Sequence, residues 1–144
     1  MSLQHGAIWW SELMTRDVPA ALAYYRDTFG WRFERSQTGP GGAYHVALAH
    51  GRSVAGIADM TAMPGTEDQP PRWLVYIAVD DVDAATNATA MAGGHVLRHP
   101  FEVPGVGRLA VVSDPTGAVL GLMTPAPTGG GEGGAEPDLE NVPV

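Results

Sequence analysis

The chain of 144 residues contains no cysteine and no lysine. Without cysteine, disulfide bonds, zinc–thiolate sites, iron–sulfur clusters and thiol nucleophiles are excluded. Without lysine, Schiff-base catalysis and the phosphate-binding P-loop are excluded as well. No apolar run approaches the ~18 residues that a membrane-spanning helix requires, and the first residues lack the pattern of a secretion signal. We therefore expect a cytoplasmic protein that has no membrane partner.

Basic residues are scarce, since 8 arginines stand against 16 acidic residues and the net charge is −8. A nucleic-acid-binding surface needs a basic stripe that neutralises phosphates, so we expect no nucleic-acid partner.

Apolar residues make up 44% of the chain and charged residues 17%, which is typical of a globular fold. Residues 128–144 are rich in glycine, proline and acidic residues. We expect them to form a flexible tail after a single domain of residues 1–127.

An internal repeat divides that domain. Residues 10–21 match residues 74–85 at a constant offset of 64 positions. In each copy, an apolar strand leads to an aspartate, Asp17 or Asp81, whose carboxylate can accept hydrogen bonds from the first turn of a helix. The sequence therefore predicts the same strand–helix unit twice.

Three short strands, separated by turns rich in glycine and proline, are predicted after each helix. The chain thus reads as two tandem βαβββ modules, of about residues 7–64 and 72–125, in an α+β fold. We expect the modules to form a curved mixed sheet around a cleft. They can pair within one chain or exchange across a homodimer, and the sequence leaves both arrangements open.

Three segments resemble the vicinal oxygen chelate superfamily, which includes glyoxalase I, extradiol dioxygenases and bleomycin-resistance proteins. The segments are TRDVPAALAYYRDTFGW at 15–31, VDDVDAA at 79–85 and the turn DPTG at 114–117. The resemblance covers about residues 8–125, is greatest to a glyoxalase-like branch often labelled hydroxylase, and implies the same tandem modules. Because one fold supports many functions, it does not name a reaction.

The resemblance also implies where a metal ion would bind. In metal-dependent members, the first and last strands of each module supply the ligands. Those positions carry Trp10 and Gly56 in the first module, and Leu74 and Gly121 in the second. None of these residues can coordinate a divalent ion, whereas a catalytic metal normally takes three or more nitrogen or oxygen ligands. We therefore expect no metal ion and no other cofactor.

Apolar side chains take the place of metal ligands on the face predicted to line the cleft. Trp10 and Tyr76 can stack on a planar ligand or fill the core. Gly56 and Gly121 can leave room for such a ligand, or can mark a bend or bulge. The predicted ligand-binding residues are Trp10, Glu12, Met14, His45, Leu74, Tyr76 and Gly121.

Glu12 is the predicted catalytic residue, because a carboxylate on an apolar face is costly unless it is paired or hydrated. It can form a salt bridge, with Arg108 as the expected partner. It can also orient a ligand hydroxyl or amine, or act as a base with a raised pKa. A metal site built from Glu12, His45 and either His95 or His99 is a further alternative.

Two main functions follow from these residues. The first is metal-free binding of a small apolar or aromatic molecule, in the manner of drug-sequestering resistance proteins. The alternative is a lyase or dioxygenase-type enzyme that uses Glu12 as acid and base or holds a metal in an unusual site. A module that binds a protein partner through its acidic tail is a third class. The sequence does not decide whether the protein is an enzyme.

Overall fold

The computed structural model describes residues 2–36, 44–63 and 65–127. The strands are β1 Ile8–Thr15, β2 Arg32–Ser36, β3 Tyr44–Ala49, β4 Arg52–Asp59, β5 Arg72–Ala78, β6 His95–Val103, β7 Gly107–Ser113 and β8 Val119–Pro125. The helices are α1 Val18–Phe29 and α2 Val82–Met91, with a 3₁₀ turn at Met60–Ala62. The predicted α+β fold of two βαβββ modules is confirmed, and the predicted tail of residues 128–144 lies outside the described residues.

Both helices begin at the predicted aspartate caps. An oxygen of Asp17 accepts a hydrogen bond from the backbone N–H of Ala20 at 3.1 Å, and Asp81 accepts one from Ala84 at 3.0 Å. Helix α1 ends at Gly30, whose φ of 77° lies in the left-handed region that glycine adopts without strain. Neither described helix has the length and apolar character that crossing a bilayer requires.

The eight strands form one mixed sheet in the order β2-β3-β4-β1-β5-β8-β7-β6. The first strands of the two modules, β1 and β5, lie side by side and antiparallel. Within each module the last strand, β4 or β8, runs parallel to the first. The modules therefore pair edge to edge within this chain.

The two faces of the sheet differ in their packing. Helices α1 and α2 cover one face, where Val18 of α1 packs with Ile57 and Val82 of α2 packs with Val112. The opposite face, which we call the helix-free face, carries the largest apolar cluster of the described residues. Its buried members are Trp10, Met14, Tyr44, Ala58, Met60, Met63, Leu74, Tyr76, Val103, Leu109, Val111 and Met123.

The connection between β4 and β5 crosses one end of the helix-free face. Met60 and Met63 of this connection belong to the apolar cluster. A Cβ on Gly65 would lie 3.6 Å from the carbonyl oxygen of Leu97, so the connection reaches the edge strand β6. Arg16 holds it in place by donating hydrogen bonds to its backbone carbonyls at 2.7 and 2.8 Å. The helix-free face is therefore partly enclosed by the chain itself.

Candidate functional site

Glu12 lies in the middle of the helix-free face, on the strand that joins the two modules. It stands opposite Gly56 of β4 and opposite Leu74 of β5. Directly opposed residues of adjacent strands project from the same face of a sheet, and so do residues two apart along one strand. Glu12 therefore shares its face with Trp10 and Met14, as the alternation in the sequence predicts.

Two tyrosines engage the Glu12 carboxyl group. The hydroxyl of Tyr76 donates to Glu12 Oε1 at 3.0 Å, and the phenol of Tyr44 on β3 lies close enough to the same carboxyl group to lower its pKa. The Tyr44 oxygen in turn accepts a hydrogen bond from Trp10 Nε1 at 2.9 Å. Glu12 is only 4% exposed, and the other three side chains are also buried. Four polar side chains thus form one connected network inside an apolar cluster.

Burial shifts the pKa values of the ionisable groups in this network. Burial raises the pKa of Glu12 above 4.5, whereas the phenols of Tyr44 and Tyr76 and the charge of Arg98 act in the opposite direction. Burial and the neighbouring carboxylate raise the pKa of both tyrosines well above 10.0. The two phenols therefore stay protonated at neutral pH, and the neutral form of Glu12 persists to higher pH than in an exposed glutamate.

The tyrosines fill the space that two glycines leave open. A Cβ on Gly56 would collide with the phenol oxygen of Tyr44, and a Cβ on Gly121 would collide with the ring of Tyr76. The room that we predicted for a planar ligand directly above these glycines is therefore occupied by protein side chains. Neither glycine can be replaced by a residue with a side chain unless a tyrosine moves.

The donor set on this face does not fit the metal ion that the resemblance implies. The four corresponding positions hold an indole, an aliphatic side chain and two glycines, and the tyrosines pack against both glycines. In the described part of the chain, no three His, Asp or Glu side chains lie close enough together to hold a metal ion. The carboxyl group of Glu12 is instead engaged by two phenols.

His45 lies on the face opposite to Glu12. It stands opposite Ile57 of β4, which in turn stands opposite Leu13 of β1, and both of these residues pack under α1. Burial and the nearby charge of Arg35 lower the pKa of His45. The sheet therefore separates His45 from Glu12. It takes His45 out of both the predicted ligand-binding set and the alternative metal site.

Arg108 does not pair with Glu12, so the expected salt bridge is wrong. Its guanidinium donates to both carboxylate oxygens of Asp83 at 2.9 Å and to Glu102 at 3.3 Å. Asp83 belongs to α2, so Arg108 projects from the helix-covered face.

Arg98 of β6 is a member of the site that the sequence did not indicate. It stands opposite Val111 of the helix-free cluster. Its guanidinium carbon lies 3.7 Å from the ring centroid of Phe101, and its charge acts on Glu12. The pairing of β6 with β7 shifts register on either side of Arg98. Simple alternation along the strand therefore could not assign this side chain to a face.

Tyr44 is the second member that the sequence did not indicate. It stands opposite Ala58 on the strand that carries Gly56, and this pairing places its ring over the glycine. The sequence carries one signal for this contact, a tyrosine at the start of one strand and a glycine in the strand that follows.

Comparison with known proteins identifies several relatives. A family model described as the Glyoxalase/Bleomycin resistance protein/Dioxygenase superfamily matches residues 4–122. The protein named "Putative glyoxylase CFP32" of Mycobacterium tuberculosis is 43% identical over 115 residues, which are 78% of this chain and 43% of that protein. The anthracycline biosynthesis protein DnrV of Streptomyces peucetius is 35% identical over 127 residues, 81% of this chain and 46% of that protein. The chain spans less than half the length of these curated relatives.

Solved structures show the same fold. The methylmalonyl-CoA epimerase of Streptomyces coelicolor, in complex with 2-nitronate-propionyl-CoA, superposes with a TM-score of 0.52 at 18% identity. The match covers 85% of this chain and 99% of that chain. At this identity the likeness concerns the fold alone.

Proposed function

The chain belongs to the glyoxalase/bleomycin resistance protein/dioxygenase superfamily, and we propose that it binds a small, largely apolar molecule on its helix-free face without a metal ion. The observation that carries this proposal is the buried network of Glu12, Tyr44 and Tyr76 within an apolar cluster. Apolar walls with a few convergent polar groups are the usual form of a small-molecule site. The tyrosines that pack on Gly56 and Gly121 stand where the family's metal ligands are expected.

Methionines give this face the capacity to adapt to a ligand. Met14, Met60, Met63 and Met123 all belong to the helix-free cluster. Their unbranched, polarisable side chains change rotamer easily and pack against aromatic rings. A ligand can therefore enter by rearranging side chains while the sheet stays intact.

An aromatic ligand is favoured by two observations. Trp10, Tyr44 and Tyr76 place aromatic rings at the centre of the face, where they can contact a planar molecule. In addition, a relative with 35% identity is named for the biosynthesis of anthracyclines, which are polycyclic aromatic compounds.

Ligand-induced thermal stabilisation tests this proposal. Protein in excess EDTA is screened against naphthalene and anthraquinone derivatives, and we expect a concentration-dependent rise in Tm. Val46 packs against the cluster, so Val46→Trp should block the site and abolish the rise. Met91→Trp, a change to the same bulky residue at an exposed position of α2 on the other side of the sheet, should keep it. A rise that survives Val46→Trp, or no rise with any compound, contradicts the proposal.

A second candidate function is proton transfer by Glu12, and its raised pKa is the observation that favours it. A buried carboxyl group whose pKa is raised is a stronger base than an exposed one, and it can remove a proton next to a carbonyl group and return it. Tyr76 or Tyr44 could then donate a hydrogen bond to the oxygen on which negative charge develops.

Hydrogen exchange at carbon measures this activity directly. Benzoylacetone and phenylpyruvate are incubated with the protein in D₂O, and exchange of the α-hydrogens is followed by NMR against the background rate. We expect Glu12→Gln to reduce the protein-dependent rate at least tenfold, whereas Asp83→Asn, which alters an exposed carboxyl group on the other face, should leave it unchanged. Equal rates in Glu12→Gln and the wild type reject this role of Glu12.

A further inference from the structure

Arg98 presents a cation to the helix-free face without an anionic partner. Its side chain is half-buried and lies over the ring of Phe101 at 3.7 Å. In the part of the chain that the structure describes, no carboxylate or carbonyl accepts a hydrogen bond from its guanidinium. Arg16, Arg72 and Arg108, by contrast, each donate to an oxygen.

Arg98 and Glu12 are electrostatic neighbours that do not bond to each other. Each charge acts on the other, yet no ion pair or hydrogen bond among the described residues joins the two side chains. A partly buried arginine is costly to desolvate and gains most from a planar oxyanion, which it can bind through two parallel hydrogen bonds. Arg98 has its donors available for such a group.

Other unpaired groups on this face are also donors. Trp9 packs against the helix-free cluster, and its buried Nε1 has no acceptor among the described residues. Arg72 stands opposite Met14 on the same face, and its buried Nε likewise has no acceptor. A buried donor without an acceptor is costly. The face therefore offers unused hydrogen-bond donors, which acceptor oxygens on an otherwise apolar ligand can engage.

We propose that Arg98 is the specificity-determining residue of this site, and that the ligand carries a carboxylate or similar planar oxyanion on an apolar body. This inference rests on the proposed function, since it requires a ligand on the helix-free face. The oxyanion pairs with the Arg98 guanidinium, and the apolar body lies against the aromatic and methionine side chains. Burial of Glu12 raises its pKa and so widens the pH range in which it adds no second negative charge beside the anion.

Calorimetric binding of two matched probes tests the inference. The probes are 2-naphthoate and 2-naphthamide, which share size and shape but differ in charge. We expect the wild-type protein to bind 2-naphthoate at least tenfold more tightly than 2-naphthamide. Arg98→Gln should lose this preference while its affinity for the amide stays within threefold of wild type, and Arg98→Lys should retain part of the preference. Arg108→Gln removes a charge from the other face and should keep the full preference.

The two proposals fail in different ways. If the wild type binds 2-naphthamide but shows no preference for 2-naphthoate, the role of Arg98 is overturned while the proposed function stands. The same holds if Arg98→Gln keeps the preference or Arg108→Gln loses it. If the wild type binds neither probe and no other aromatic compound, the proposed function fails and the role of Arg98 fails with it.

Discussion

At the scale of single residues, Glu12 shows which of several opposing effects prevails. Removing a carboxylate from water is costly, whereas two neighbouring phenols and the charge of Arg98 favour the ionised form. The net effect raises the pKa of Glu12, so burial outweighs its partners. The neutral acid consequently persists to higher pH than it does for an exposed glutamate.

Glu12→Gln should therefore change how stability depends on pH. Because the folded-state pKa of Glu12 lies above its unfolded value, its contribution to stability is fully present below the unfolded pKa and is lost as pH rises through the folded pKa. Glutamine carries a neutral amide of the same shape, so the variant does not lose stability in this way as pH rises. We expect the Tm of Glu12→Gln minus that of wild type to increase as pH rises from 4 to 8, measured by differential scanning calorimetry.

Asp83→Asn is the matched control for this measurement. The hydrogen bond from Arg108 holds the pKa of Asp83 below its usual value, so its contribution is present above the unfolded pKa and is lost as pH falls. The Tm of Asp83→Asn minus that of wild type should thus become less negative toward low pH. A Glu12→Gln difference that is independent of pH, or that decreases as pH rises, contradicts the assignment.

At the scale of elements, the pairing of β3 with β4 determines the composition of the site. Tyr44 of β3 reaches Glu12 because Gly56 of β4 presents no side chain beneath the phenol. The glycine and the tyrosine thus act as a pair, in which one residue provides the space and the other fills it.

Gly56→Ala tests this pairing. The added Cβ would overlap the phenol oxygen of Tyr44, and packing an extra methyl group into a filled core typically costs about 1–3 kcal/mol. We expect the free energy of unfolding, measured by urea denaturation, to fall by that amount. In a Tyr44→Ala background, where both the phenol oxygen and the ring carbon Cζ that the added Cβ would overlap are absent, the same change should cost less. Equal costs in the two backgrounds would indicate that Tyr44 does not fill this space.

The elements also show how far sequence reasoning extends. The caps at Asp17 and Asp81 are local, since each aspartate bonds to a backbone amide three residues away, and both were predicted correctly. Membership of the site depends instead on which residues of distant strands stand opposite each other. His45 and Tyr44 are neighbours in the chain but lie on opposite faces. Because the register shifts beside Arg98, alternation along β6 does not show from which face its side chain projects.

At the scale of the whole molecule, one sheet and one buried cluster join the two modules. Antiparallel pairing of β1 with β5 makes the sheet continuous, and the helix-free cluster takes Trp10 and Met14 from the first module and Leu74 and Tyr76 from the second. We therefore propose that residues 1–127 unfold as a single cooperative domain. The homodimer stays a prediction, which a molar-mass measurement in solution can test.

Leu74→Ala tests this cooperativity. Leu74 is fully buried where the modules meet, and truncation of a buried leucine typically costs about 2–5 kcal/mol. We expect one calorimetric transition at a lower Tm, with equal calorimetric and van't Hoff enthalpies, as in the wild type. Separation into two transitions, in either protein, contradicts a single domain.

The central claim, a small-molecule site that works without a metal ion, is tested most directly by metal content and metal affinity. Protein purified without chelator is assayed for bound metals and then titrated calorimetrically with Ni²⁺, Zn²⁺, Mn²⁺ and Fe²⁺. Glu12 is engaged by two phenols, and the positions of the family's metal ligands hold no side chain that can coordinate a metal ion. We therefore expect no ion to bind with a Kd below about 1 μM, which corresponds to a binding free energy of about −8.2 kcal/mol. One tightly bound ion per chain, lost in Glu12→Gln, would contradict the account.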